Sequence, residues 1–186
     1  MSPKQRSAPA REKVLDAYEA LLIENGEKAA TLEQVAARAG VSKGGLLYHF
    51  RDKAALAEGL LERLGVLSEQ DAEAMAEADD GPSAYYVRTS VFEDSALDRS
   101  IIAATRLDSV PASRRREAFE AMQSRWLSLI EGEVGDPAIA HAILLMGDGM
   151  YYNASLGAEA GWPRREDREA QIAELLRVVE RLRGLA

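Results

Sequence analysis

The segment from Thr31 to Lys53 holds the densest set of side chains suited to contacting an anion. Ser42, Lys43, Tyr48, His49 and Lys53 bring hydroxyls, an imidazole and two ammonium groups into one short stretch. Tips of these kinds serve phosphate and base contacts. Elsewhere the chemistry thins out. His49 and His141 are the only histidines, and two histidines without cysteine leave a metal shell incomplete, so no metal site is expected. His141 reads as a helix-face histidine satisfied locally. Arg114-Arg115-Arg116 could be a second phosphate patch, although a solvated helix face paired with Glu117 and Glu120 is the plainer reading. No G-x-G-x-x-G, P-loop, G-x-S-x-G or H-E-x-x-H occurs, so neither an enzyme nor a bound cofactor is expected.

A second stretch of interest runs from Ile143 to Asn153. It is an apolar helix interrupted by Gly147 and Gly149, each costing about 1 kcal/mol against alanine in a helix interior. Glycine there lets a neighbouring helix or a ligand come close. Asp148 is a charge in an apolar run and needs a partner or a solvated cavity. Core and dimer packing explains the stretch simply. The alternative is one wall of an effector pocket, in which Met146, Met150 and Tyr151 would join Trp126 and the Tyr85-Tyr86 pair. Such side chains suit an adaptable apolar site with a few polar tips.

Composition sets the frame for these residues. The chain has 186 residues, 47% hydrophobic and 29% charged, with aromatics at 6% and no cysteine. Ala, Leu, Glu and Arg dominate, a mixture that favours helix. There is neither an apolar run long enough to span a bilayer nor a signal-like N-terminus, and a cytoplasmic address is the default expectation. The net charge is −8 but unevenly spread. Residues 1–56 carry nine Lys/Arg against seven Asp/Glu, including all five lysines, while the rest is strongly acidic. A weakly basic head on an acidic body suits local anion binding, not a nucleic-acid coat.

Helical periodicity recurs almost throughout, and nine helices are expected. The first is Arg11–Asn25, closed by Gly26. Thr31 and Gln34 have capping-box spacing and open Leu32–Ala39, which Gly40 ends. Ser42 caps Lys43–Phe50, and Asp52 caps a helix from Lys53 to Leu67. Beyond a linker at Asp79-Asp80-Gly81-Pro82 come Ser83–Phe92, Ser95–Asp108, Ala112–Glu131, Pro137–Leu156 and, after Pro163, Glu166–Leu182. In the segment of interest, Val35, Ala36, Val41, Leu46 and Phe50 are spaced to close a small core against the first helix. The opposite face of Lys43–His49 then points outward and can enter a major groove. Periodicity by itself fits an ordinary helical hairpin equally well.

Residues Ala39-Gly-Val-Ser-Lys-Gly-Gly-Leu46, then Tyr48-His49-Phe50, Lys53 and Ala54-Ala-Leu56, resemble the N-terminal domain of the TetR (tetracycline-repressor) family. Its pattern runs threonine, helix, A-G-V-S-K-G-x-L, two aromatics, F, x-x-K, and an alanine/leucine-rich helix. The likeness covers Arg11 to Leu60; further on, only helix count and order agree. It implies an all-α homodimer. Residues 1–56 would be a helix-turn-helix DNA-binding domain, and 57–186 an effector-binding and dimerisation domain. The last two helices would pair with their two-fold mates as a four-helix bundle.

Carried over residue by residue, Thr31 would cap the second helix and touch a phosphate. Ser42 and Lys43 would begin the recognition helix, with Lys43 reaching a base edge or phosphate. Tyr48 and His49 would contact the backbone, Lys53 a phosphate, and Gly44 would permit close approach to the groove floor. The chain departs from the family at Leu47, where tyrosine is usual, and at Gly45, where a polar reader is common. Methyl contacts from Leu47 and DNA shape would therefore carry more of the readout. Glu33 stands where some members place a basic contact, and phosphate would repel it. The implied function is a transcriptional regulator, a repressor by resemblance, that binds a palindromic operator and is released by a small-molecule effector. The competing classes are a helical-bundle small-molecule-binding protein and a constitutive DNA-binding protein without effector.

Overall fold

The computed structural model describes residues 3–157 and 165–185, with side chains over 10–155 and 167–185. Nine helices make up these described residues: α1 (Pro3–Asn25), α2 (Leu32–Ala39), α3 (Lys43–His49), α4 (Lys53–Ala76), α5 (Pro82–Thr89), α6 (Ala96–Thr105), α7 (Ala112–Val134), α8 (Pro137–Gly157) and α9 (Arg165–Arg183). The expected all-α architecture is therefore the observed one. No described helix is long and apolar enough to cross a membrane. Pro163, expected ahead of the last helix, lies outside the described residues.

Most expected boundaries fall within a few residues, and the larger differences have local causes. α1 begins at Pro3, well before Arg11. Proline is tolerated in a first turn, where its missing amide would be unpaired anyway. α4 runs nine residues beyond Leu67, to Ala76. Polar Ser68 masks the continuing stripe, yet Leu64, Ser68, Ala72 and Met75 are all buried at helical spacing. α5 stops three residues early, because Thr89 and Ser90 turn their hydroxyls onto the carbonyls of Tyr85 and Tyr86. α6 opens on a capping box that the sequence reading missed, with Ser95 and Asp98 exchanging backbone bonds.

Chain compactness defines two units, residues 1–67 with 94–120, and residues 68–93 with 121–186. In the first, α1 packs on α2, α3 and α6. Val14, Leu15, Tyr18 and Leu22 of α1 meet the burial of Val35, Leu46 and Phe50. Val41, expected in this core, is only half-buried at the turn. The aromatic Phe50 fits beneath α4 only because residue 59 is glycine: a Cβ there would stand 2.6 Å from the Phe50 ring.

Two buried carboxylates, Glu19 in α1 and Glu27 in the turn after it, fasten this part of the head to α6 and the loop that follows. Glu19 accepts from Ser100 Oγ at 2.8 Å and from Arg99 Nε at 3.3 Å. Glu27 accepts from Tyr18 Oη at 2.8 Å, Ser109 N at 2.8 Å, Asp108 N and Ser109 Oγ. Burial alone would raise the Glu27 carboxyl, but these four donors outweigh it and hold it below the usual range. Arg106 adds a third tie by donating to the last carbonyls of α1, Leu22 O and Ile23 O.

In the second unit α5 packs on α8 and α9, and α8 on α9. Glu133 of α7 organises the start of α5, accepting from Ser83 N at 2.8 Å and pairing with Arg183 at 2.8 Å. The glycine expected to allow close approach does so at 147. An added Cβ would collide with the Tyr86 ring and lie 2.6 Å from Ser90 Oγ. At Gly149 a Cβ would meet nothing within 4 Å.

Candidate nucleic-acid interface

Local rules build the outer side of the first unit. Thr31 Oγ1 accepts from Gln34 N at 3.2 Å, and Gln34 Oε1 accepts from Thr31 N at 3.4 Å, completing the expected box. Gly40 closes α2 in the left-handed conformation (φ 67°), which a side chain would strain. Ser42 Oγ accepts from Gly45 N at 3.0 Å and caps α3, which starts at the next residue. Asp52 Oδ1 accepts from Ala55 N at 2.7 Å and starts α4. With Leu46 and Phe50 buried, α3 turns its remaining face to solvent.

That face carries most of the expected contact residues. Ser42, Lys43, Gly44, Leu47 and Tyr48 are exposed, and so is Thr31. Tyr48 is 81% exposed and meets the His49 ring edge-on at 5.2 Å. His49 is half-buried. Gly45 is not bare toward solvent as Gly44 is: a Cβ there would stand 3.2 Å from Ser42 Oγ, so its lack of a side chain also protects the cap.

Both lysines have partners within the head. Lys53 donates its ammonium to the carbonyl of Glu27, and so tethers the start of α4 to the turn after α1. Lys43 pairs with Glu33 at 2.6 Å. The nearby Arg38 is also occupied, in a two-pronged bond to Glu24 at 2.5 and 2.6 Å. Sequence reasoning missed Arg51, whose side chain is 88% exposed and pairs with its neighbour Asp52 at 3.2 Å. Its signal was the position, between the α3 cap and the α4 start.

The other candidates sort themselves by their partners. The arginine run, expected as a solvated face, is half-buried at Arg114 and Arg115 and exposed only at Arg116, and it pairs with acids of other elements: Arg114 with Glu58 at 3.0 Å and Arg115 with Asp108 at 3.8 Å. His141 is satisfied on its own helix by Pro137 O at 3.2 Å.

Of the six proposed pocket residues, Tyr86 and Trp126 are brought together, with ring centroids 5.5 Å apart. Asp148 finds the partner it needs in Tyr86 Oη at 2.7 Å, and Gln123 Nε2 reaches its other oxygen at 3.3 Å. Burial, then the nearby Asp148, keeps the Tyr86 hydroxyl protonated far above its ordinary range. Tyr85 is engaged through a different carboxylate, Asp71 of α4, at 3.1 Å, with Arg88 over its ring. Burial and Asp71 push its hydroxyl up to about 12. Met150 is buried, while Met146 and Tyr151 are half-buried. The indole N–H of Trp126 is buried and has no hydrogen-bond partner among the described residues. Gln123, one helical turn before Trp126, was not singled out from the sequence.

A capped three-helix head that presents the outer face of its third helix is the arrangement of a helix-turn-helix DNA-binding regulator. Residues 14–60 match the family of bacterial regulatory proteins, tetR family, and residues 80–180 match the tetracyclin repressor-like C-terminal domain. The chain belongs to the tetR family. A curated relative, the HTH-type transcriptional repressor BepR of Brucella suis, is 35% identical over 60 residues, which is 32% of this chain and 29% of that protein. Among solved structures, native NalD of Pseudomonas aeruginosa, the secondary repressor of the MexAB-OprM multidrug efflux pump, aligns over 95% of this chain and 96% of its own. Its TM-score is 0.66 at 23% identity. SmeT in complex with triclosan aligns over 90% and 89%, with TM-score 0.63 and 21% identity. A transcriptional regulator from Rhodococcus sp. Rha1 covers 91% and 95%, with TM-score 0.62 and 23% identity. These structures share the fold.

Proposed function

We propose that the protein is a cytoplasmic transcriptional repressor that binds a palindromic operator as a homodimer and is released by a small-molecule effector. The carrying observation is the exposed outer face of α3, held by the Ser42 cap on one side and the buried Leu46 and Phe50 on the other. Residues 1–56 act as the DNA-binding head and 57–186 as the effector and dimerisation part. Thr31, Ser42, Lys43, Gly44, Gly45, Leu47, Tyr48, His49 and Lys53 remain the proposed contact set, and Arg51 joins it as a phosphate contact.

Dimerisation is supported by α8. Ala138, His141, Ala142, Leu145, Gly149 and Tyr152 form one exposed stripe of mostly small or apolar residues, with Leu145 65% and Tyr152 62% exposed. A palindromic operator read by a dimer calls for two recognition helices about one DNA turn apart, ~34–36 Å. For the effector, the supporting observation is the buried indole N–H of Trp126, unpartnered among the described residues, near the Tyr86–Asp148 pair. A buried donor with no acceptor is costly unless a ligand or water satisfies it. Tyr86, Trp126, Met146, Met150 and Tyr151 remain the proposed lining, with Tyr85 at its edge. The triclosan complex of SmeT supports a small aromatic ligand as the first probe. An effector that prefers one head separation lowers DNA affinity by its differential affinity for the two states.

The test is selection of duplexes from a random pool, followed by a salt titration of the winner. Binding to a two-fold symmetric site, steeply weakened by salt, is expected. Arg51→Ala should flatten the slope by about 1.8, one phosphate contact being lost in each half-site. A flat wild-type slope, or no duplex enriched, overturns the reading.

A further inference from the structure

Lys43 is the only lysine or arginine on α3, where it is followed by two glycines, two leucines, Tyr48 and His49. Its ammonium lies 2.6 Å from Glu33 Oε1, with the two side chains 55% and 63% exposed. Glu33 is the second residue of α2 and Lys43 the first of α3, so the rigid Gly40–Ser42 turn places them side by side. The lysine holds the Glu33 carboxyl below its usual range.

To reach a phosphate, Lys43 has to leave this carboxylate. A phosphate gives it roughly what Glu33 already gives, one anionic oxygen, while the released carboxylate then faces a polyanion. Contact with phosphate alone therefore gains little at this position. The major-groove edge of a G·C pair is different. Guanine offers two acceptors, O6 and N7, and the adjacent cytosine offers the N4 amino donor. An ammonium and a carboxylate held next to each other are complementary to that edge, lysine to guanine and glutamate to cytosine.

We propose that Glu33 is a specificity-determining residue of the DNA-binding surface: it masks Lys43 in the unbound head, weakens binding to duplexes that offer phosphate alone, and with Lys43 selects a G·C pair in each half-site. The proposal rests on the DNA-binding reading above and goes beyond it by assigning a role to a residue whose charge opposes binding.

Glu33→Gln keeps the shape and removes the charge, and both side chains are exposed, so circular dichroism and the melting midpoint should match wild type. The full-length variant should bind a random-sequence duplex about fivefold tighter than wild type, with a salt slope steeper by about 1.8 because Lys43 of each protomer is freed for one more phosphate. Selection from a random pool should lose a G·C preference at one position per half-site that wild type shows. In a Lys43→Gln background the gain from Glu33→Gln should shrink. An unchanged random-duplex affinity and slope, or an unchanged base preference at every position, overturns the proposal while leaving the regulator reading intact. Failure of wild type to bind any duplex overturns both, and so the two failures are told apart.

Discussion

Glu27 and Glu33 stand six residues apart in one head, and the fold treats them in opposite ways. Glu27 faces inward, is 5% exposed and is surrounded by four donors from α1 and the loop after α6. Glu33 faces outward and has one movable lysine. Glu19 repeats the inward pattern and Glu24 the outward one, with Arg38 as its partner. A buried carboxylate that loses a donor leaves polar groups unsatisfied, and so it fixes geometry. An exposed one exchanges its partner for water or ligand at little cost, and so it can tune recognition without shaping the fold.

The comparison breaks most readily on its inner side. Glu27→Ala should destabilise the protein by about 2–4 kcal/mol in urea unfolding, because Tyr18, Asp108 and Ser109 lose their shared acceptor at once. A cost under about 1 kcal/mol would place Glu27 with the surface acids.

Acid should sharpen the same point. The folded carboxyl of Glu27 lies below its unfolded value of about 4.3, so its contribution is present above that value and disappears as pH falls through the folded value. Glu27→Gln should then flatten stability against pH in that window, as followed by melting midpoints. A profile parallel to wild type would remove Glu27 as the cause.

On the outer side Thr31→Ala should cost about 1 kcal/mol, since the cap of α2 is a backbone matter even on a recognition surface. Equal loss from the neutral, exposed Gln34→Ala would assign the effect to the reciprocal half of the box. Smallest of all, Glu24→Gln should leave the melting midpoint unchanged within error, because its bond to Arg38 lies in solvent. A clear drop would mean that outer pairs also hold the fold.

Much of the head was legible because its signals are local. The Thr31–Gln34 box, the Gly40 stop, the Ser42 cap and the Asp52 start each depend on a few neighbouring residues, and each stands where their spacing put it. The buried stripe of Val35, Ala36, Leu46 and Phe50 followed from the helical period, while Val41 sits too close to the turn to be covered. The reach of α4 beyond Leu67 was hidden because a buried serine looks polar in a sequence. Likewise the arginine run looked paired to its own helix, at Glu117 and Glu120. Its partners Glu58 and Asp108 are distant in the chain or beyond a helix start, where periodicity says nothing.

By itself, then, the sequence determined an all-α chain, a capped helix-turn-helix from Thr31 to Lys53, and the residue types on its outer face. Those features arise from helix period, capping and glycine conformation, all of which act within a few residues. Only the tertiary structure decided which charges are available. It tied Lys53 to the Glu27 carbonyl, set Glu33 against Lys43, left Arg51 exposed beside Asp52, and gave Asp148 to Tyr86 and Gln123. Such pairings join residues up to 62 positions apart. They depend on which helix faces pack together, and no local pattern records that.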